Sequence, residues 1–287
     1  MAISSLKEQV RRQLGASDFE TENNNEHEHE HNKTKTKNNQ WSVDCDSDAV
    51  RHAIGMSFAG TETVKGEPTW EWGFQHYQDL KLSDKIHITR FFMSFPLLQD
   101  LRSNGFQLCS MCPAKNEITS FASVREYDSA VEQARWFKKL RQGWYTVVDW
   151  VTLFVYYRES LPRLLINKRY DNDTKRLDQK FDKFDEKIDT WQQQVMPPNV
   201  GLHWYVHMVG VNPLYQGQGQ GKALMERLNR LADASNRVMY LEAGAPNRIF
   251  YEKMGFVVQR TELFVDPGDH TVDPYPMHLM TRQPSSQ

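Results

Sequence analysis

The run from Gly201 to Ala243 constrains the fold more tightly than any other part of the chain. It opens "GLHWYVHMVGV", where residues alternate with the period of a strand. Strict alternation sends Leu202, Trp204, Val206 and Met208 to one face, and His203, Tyr205, His207 and Val209 to the other. Glycines at 217, 219 and 221 follow, interleaved with Gln216, Gln218 and Gln220 and closed by Lys222. Leu224, Leu228 and Leu231, flanked by Met225 and Ala232, then recur at helical spacing to about Ser235, and "VMYLEA" from Val238 supplies a second strand. Glycines between a strand and a helix N-terminus leave backbone N–H groups and the helix dipole turned toward an anion.

Spacing narrows the choice of anion. A nucleotide P-loop needs glycine five positions before the glycine of its Gly-Lys pair and a hydroxyl after the lysine; here those positions are Gln216 and Ala223. A dinucleotide fingerprint fails as well, because its third glycine would fall on Lys222 or Leu224. No serine elbow is present; "GMSFAG" at Gly55 to Gly60 is one residue too long.

The rest of the chain sets bounds. The 35 basic and 37 acidic residues nearly cancel, giving a net charge of −2, so nothing marks a nucleic-acid partner. Cys45, Cys109 and Cys112 are too few for a disulfide framework, which suggests a reducing, cytoplasmic setting; an organelle-targeting reading of "MAISSLKEQVRRQLG" is the alternative. The apolar run "GWYTVVDWVTLFVYY" is broken by Asp149 and is shorter than the roughly 20 residues of a membrane helix, so no membrane partner is expected. Residues 1–40 read as a disordered leader, since "ENNNEHEHEHNKTKTKNN" has little to bury. Its His27, His29 and His31 could chelate a metal, but a solvated tail is the simpler reading, and no metal site is expected.

Residues 41–287 read as one domain with a helical insertion at about 129–198. Val50, Ile54 and Phe58 form a helical stripe behind Asp48. "FQLCSMCPAKNEITSFASVRE" reads as an antiparallel hairpin, with Cys109 and Cys112 on opposite faces as packing residues. Leu177, Phe181, Phe184 and Ile188 make a second stripe on a charged helix. Trp70, Trp72 and Phe74 are core or pocket walls.

Gln216-x-x-Gly219-x-Gly221, followed in order by "VMYLEA", "IFYEKMGFVV" and "YPMHLMTRQP", resembles the GCN5-related N-acetyltransferase (GNAT) family over about Gly201 to Pro284. A looser match makes Asp48 to Gly60 a first strand and helix, and Phe106 to Glu126 the second and third strands. The resemblance implies an α/β (α+β) fold with a mixed, mostly antiparallel central sheet flanked by helices. It further implies acetyl-CoA as co-substrate and direct acetyl transfer to the primary amine of a small molecule or peptide. A non-catalytic acyl-CoA-binding module is the alternative. Gln216, Gly217, Gln218, Gly219, Gln220, Gly221 and Lys222 would take the pyrophosphate, and the backbones of Val209 and Val211 the pantetheine arm. Tyr251 matches the family's acid. His207 lies where a base is often found; it is equally readable as a structural histidine, as Lys222 is readable as a solvated side chain. The family's asparagine seven residues before the tyrosine is replaced by Gly244, with Asn247 only four before.

Overall fold

The computed structural model describes residues 6–23, 40–43, 45, 47–73, 81–86, 88–90, 93, 105–128, 183, 186–188, 190–191, 201–266 and 273–285. Seven strands form one sheet: β1 (Gln40–Ser42), β2 (Gly105–Cys112), β3 (Glu117–Asp128), β4 (Leu202–Val211), β5 (Val238–Gly244), β6 (Val257–Phe264) and β7 (Tyr275–Arg282). The spatial order is β1-β2-β3-β4-β5-β7-β6, antiparallel throughout except where β4 meets β5. Five helices named here flank it: α1 (Leu6–Asn23), α2 (Ser47–Ala59), α3 (Pro68–Gly73), α4 (Gln220–Ala234) and α5 (Arg248–Lys253). This is the mostly antiparallel, helix-flanked sheet expected from the sequence.

The two faces of the sheet carry different cores. On one, Leu224, Met225 and Leu228 of α4 are fully buried against Phe106, Trp204 and Met239. Each such side chain contributes about 1.5–3 kcal/mol relative to leaving it in water. On the other, Val50, Ile54 and Phe58 of α2 pack on Phe121 and Met208, as their spacing predicts.

The strict alternation expected along β4 does not hold. Ser123 pairs with Met208 but the next residue, Val124, pairs with Val206, so His207 is an extra residue in the ladder. Such a bulge reverses the phase of the side chains beyond it. Trp204, Val206 and Val209 consequently share the α4 core, while Met208 joins Phe121 beneath α2.

Other expectations are corrected too. Within the supposed leader, residues 6–23 are helical: Leu6, Val10 and Leu14 recur every fourth residue and are buried in the α4 core. Gln13 hydrogen-bonds Ser235, and Arg227 donates to the Leu14 carbonyl (3.4 Å). The first strand is Gln40–Ser42, so Asp48 to Gly60 supplies no strand. Cys45 is bridged to Cys109 across 6.5 Å between Cα atoms, where free thiols were expected; Cys112 is free. The hairpin stands as read, with β2 and β3 joined by a turn at 113–116.

Of the charged-helix stripe, Ile188 is buried with Trp191 against Phe264; Leu177, Phe181 and Phe184 lie outside the described residues, as do the histidine tract, Phe74 and most of the proposed insertion. Trp70 is core, and Trp72 stacks on Tyr275. Among the described residues no helix is long and apolar enough to cross a membrane.

Candidate active site

The site begins where two strands part. Strand β4 pairs in parallel with β5 only from His203 to Tyr205, opposite Val238 to Tyr240. Past that point β5 stays with β7 as far as Gly244, opposite Met277, while β4 stays with β3 as far as Val211, opposite Ser120. The edge of β4 from Val206 to Val211 that faces away from β3 is therefore unpaired with β5. A cleft of about 490 Å³ opens there.

Its floor is the glycine loop. Pro213 starts a 3-10 turn (Pro213–Tyr215) capped by Asn212, whose Oδ1 accepts from Leu214 N (3.1 Å) while its Nδ2 donates to the Ile118 carbonyl (3.2 Å). Gln216 Nε2 donates to the Val211 carbonyl (3.2 Å) and Gln218 Nε2 to the Leu214 carbonyl (3.1 Å), bracing the loop against the strand it leaves. Gly217 and Gly219 have φ of 72° and 80°, the left-handed region that favours glycine. Gly219 is also the N-cap of α4 and offers no side chain to the first-turn N–H groups, so these remain for an outside anion. A Cβ on Gly221 would stand 3.3 Å from Val211, so glycine keeps loop and strand close. Gln220 is buried, its Oε1 accepting from Thr119 Oγ1 (3.4 Å), and Lys222 is exposed beside Glu226 (3.6 Å).

The walls come from distant segments. One is the stretch from the end of α2 into α3, including Ser57, Phe58, Gly66 and Glu67; the other is formed by Asn247, Phe250 and Tyr251. Glu67 starts α3 with Pro68 behind it: its Oε2 accepts from Trp70 N (2.9 Å), a helix-capping contact, and its Oε1 accepts from Asn247 Nδ2 (3.4 Å). Tyr251 is buried, with Phe250 and Phe256 set edge-on to its ring. Burial, and then the nearby Glu67 carboxylate, push its phenol well above the usual value of 10.0, so it keeps its proton throughout the neutral range.

Of the residues expected to hold cofactor, Val209, Val211, Gln216, Gly217, Gly219, Gln220, Gly221 and Lys222 line the cleft; Gln218 braces the loop from outside the lining. Tyr251 lines it. His207 does not: it sits in the bulge with its ring stacked on Tyr205, 5.0 Å between centroids. Asn247 lines it despite its displaced sequence position. Glu67, the single carboxylate among the described lining residues, escaped the sequence reading. "EPTW" signals a helix start through Pro68, but nothing local says that the residue before it faces Tyr251.

Among the described residues no cluster of three or more His, Cys, Asp or Glu side chains is set to hold a metal. Several solved structures resemble the chain at low identity. Arylalkylamine N-acetyltransferase 2 from Aedes aegypti is 16% identical, over 87% of this chain and 100% of that one, with a TM-score of 0.43. A Corynebacterium glutamicum chain described as histone acetyltransferase HPA2 and related acetyltransferase is 15% identical, over 87% and 98%, at 0.45. A GCN5-related N-acetyltransferase from Rhodopseudomonas palustris is 13% identical, over 88% and 99%, at 0.40. Residues 184–258, which contain the parting strand, the glycine loop, α4 and Tyr251, match the acetyltransferase (GNAT) domain model.

Proposed function

We propose that this protein is an N-acetyltransferase that moves an acetyl group directly from acetyl-CoA to a primary amine. The observation that carries this is the parting of β4 from β5, which opens a cleft onto the glycine loop and places Glu67 and Tyr251 on its walls. The cofactor pyrophosphate would sit at Gly217 to Lys222 on the N-terminus of α4, and its pantetheine arm along the backbone of Val209 and Val211. When bound, acetyl-CoA supplies an activated thioester.

The chain's own groups then have two tasks. An alkylammonium with a pKa of about 10 costs roughly 4 kcal/mol to deprotonate at pH 7, and the Glu67 carboxylate is placed to take that proton. As the C–N bond forms and the C–S bond breaks, the departing thiolate needs a hydrogen-bond donor. Tyr251 supplies it. A thiol titrates near about 8.5 and this phenol lies well above that, so stabilising the thiolate by a hydrogen bond suits Tyr251 better than outright proton transfer. His207 stands apart from the lining, and we assign the base to Glu67. No cysteine is among the described lining residues, in keeping with direct transfer.

The test is to incubate the full chain with acetyl-CoA and a panel of primary amines, measuring free thiol and acetylated amine together. Equal amounts of both support the proposal. Thiol release with no acetylated amine contradicts it in favour of thioester hydrolysis, and neither product contradicts it in favour of the non-catalytic binding module.

A further inference from the structure

Ser57 is a residue whose chemistry the fold does not use. It lies near the end of α2, is 7% exposed, and lines the cleft. Its Oγ is buried with no hydrogen-bond partner among the described residues. A serine inside a helix ordinarily either faces water or bonds back to the carbonyl four residues earlier. Ser57 does neither, although alanine would form the helix better and bury no hydroxyl.

Its position gives that hydroxyl something to face. The Ser57 Cβ would lie 3.1 Å from a Cβ built on Gly210, so the residue stands over β4 between Val209 and Val211, where the strand edge is open. The same wall carries Glu67, while Lys65 and Lys222 of the lining are exposed. One wall of the cleft thus presents an unmatched hydroxyl and a carboxylate, which is the complement of a nitrogen carrying several N–H groups.

We infer that Ser57 Oγ binds the acceptor, taking a hydrogen bond from one N–H of a primary alkylamine whose ammonium proton passes to Glu67. This rests on the acetyl-transfer reading above. Of the three protons of the ammonium, one leaves to the carboxylate. Of the two remaining N–H groups one is held by Ser57 Oγ and stays in the amide. The freed lone pair forms the C–N bond as the C–S bond breaks, and the last proton leaves nitrogen for the departing thiolate, giving the free thiol. Ser57 is accordingly a determinant of amine affinity and aim, independent of the donor.

Ser57→Ala and the volume-keeping Ser57→Cys test this, with 2-phenylethylamine and 1,4-diaminobutane as acceptors in the free-thiol assay and acetyl-CoA binding followed by calorimetry. For Ser57→Ala we expect an amine KM raised about tenfold, the loss of one hydrogen bond to a polar ligand. Acetyl-CoA affinity should be unchanged, and the thermal midpoint equal or higher, since an unmatched hydroxyl has been removed. Ser57→Cys, a weaker hydrogen-bonding group, should fall between. An unchanged amine KM, a loss confined to acetyl-CoA binding, or a lowered midpoint or failed folding in both variants would each overturn the inference while leaving acetyl transfer standing. A wild-type protein that acetylates neither amine would instead sink the transfer reading for such acceptors and this assignment with it.

Discussion

At the scale of single residues, the roles proposed for Glu67 as base and Tyr251 as hydrogen-bond donor to the thiolate predict substitutions whose effects separate. Glu67→Gln keeps shape but cannot accept the ammonium proton, so kcat/KM for the amine should fall by about 10²–10⁴. His207→Gln, altering a ring outside the cleft lining, should leave the pH profile near that of the wild type. The opposite ranking would move the base to His207. Tyr251→Phe should lower kcat with acetyl-CoA affinity intact. Because burial and the neighbouring Glu67 raise the Tyr251 phenol, it stays protonated past pH 10, and the alkaline limb of the wild-type profile should carry no contribution from it. A limb near pH 10 that vanishes in Tyr251→Phe would show the phenol titrating where these contacts say it should not.

At the scale of elements, α1 offers the sharpest contrast between solvated tail and folded part. Leu14 is buried where α1 crosses the α4 core, so Leu14→Ala should destabilise the protein by about 2 kcal/mol in urea unfolding. No change would mean that the helix does not dock. The same element marks the limit of what the chain's pattern reveals. The run from Gly201 to Ala243 was readable because each boundary is local: alternation, Pro213, the glycines and a leucine stripe all act within a few residues. In α1 the apolar residues Leu6, Val10, Leu14, Ala16 and Phe19 are scattered among charged and polar neighbours, and a polar, histidine-rich tract follows, so the helix exists by the docking of Leu6, Val10 and Leu14. The phase of β4 was unreadable for a related reason. The bulge at His207 is set by pairing with β3, some eighty residues earlier in the chain. Glu67 and Ser57 acquire meaning only when α2 and α3 are laid across β4 from Tyr251.

At the scale of the whole molecule, the C-terminal strand is tied to the end of α4. Arg282 meets Asp233 through two hydrogen bonds of 2.8 Å, and Ser285 N donates to the same carboxylate (2.8 Å). Burial pushes the Asp233 carboxyl up, but the Arg282 contacts and the Ser285 N–H outweigh it and hold the group below its usual 3.8. A folded-state pKa below the unfolded one adds stability that is complete above the unfolded value and is lost as pH falls through the folded one. The pair should therefore stabilise fully above about pH 4 and fade under stronger acid. Arg282→Ala should cost about 1–2 kcal/mol at pH 7 and correspondingly less at pH 2. A penalty that does not shrink with acid would assign the effect to packing by the arginine stem.

The central claim is that the parting of β4 from β5 and the glycine loop below it form an acetyl-CoA seat. Calorimetric titration of the full chain with acetyl-CoA, with ATP and NAD as controls, tests it most directly. The account predicts selective binding of acetyl-CoA in the micromolar range, with no binding of ATP or NAD. It also predicts loss of binding in a folded Gly219→Asp variant, where a carboxylate occupies the anion seat and a side chain meets φ of 80°. A well-folded wild-type protein that binds no acetyl-CoA, or a Gly219→Asp variant that binds it equally well, would contradict the claim.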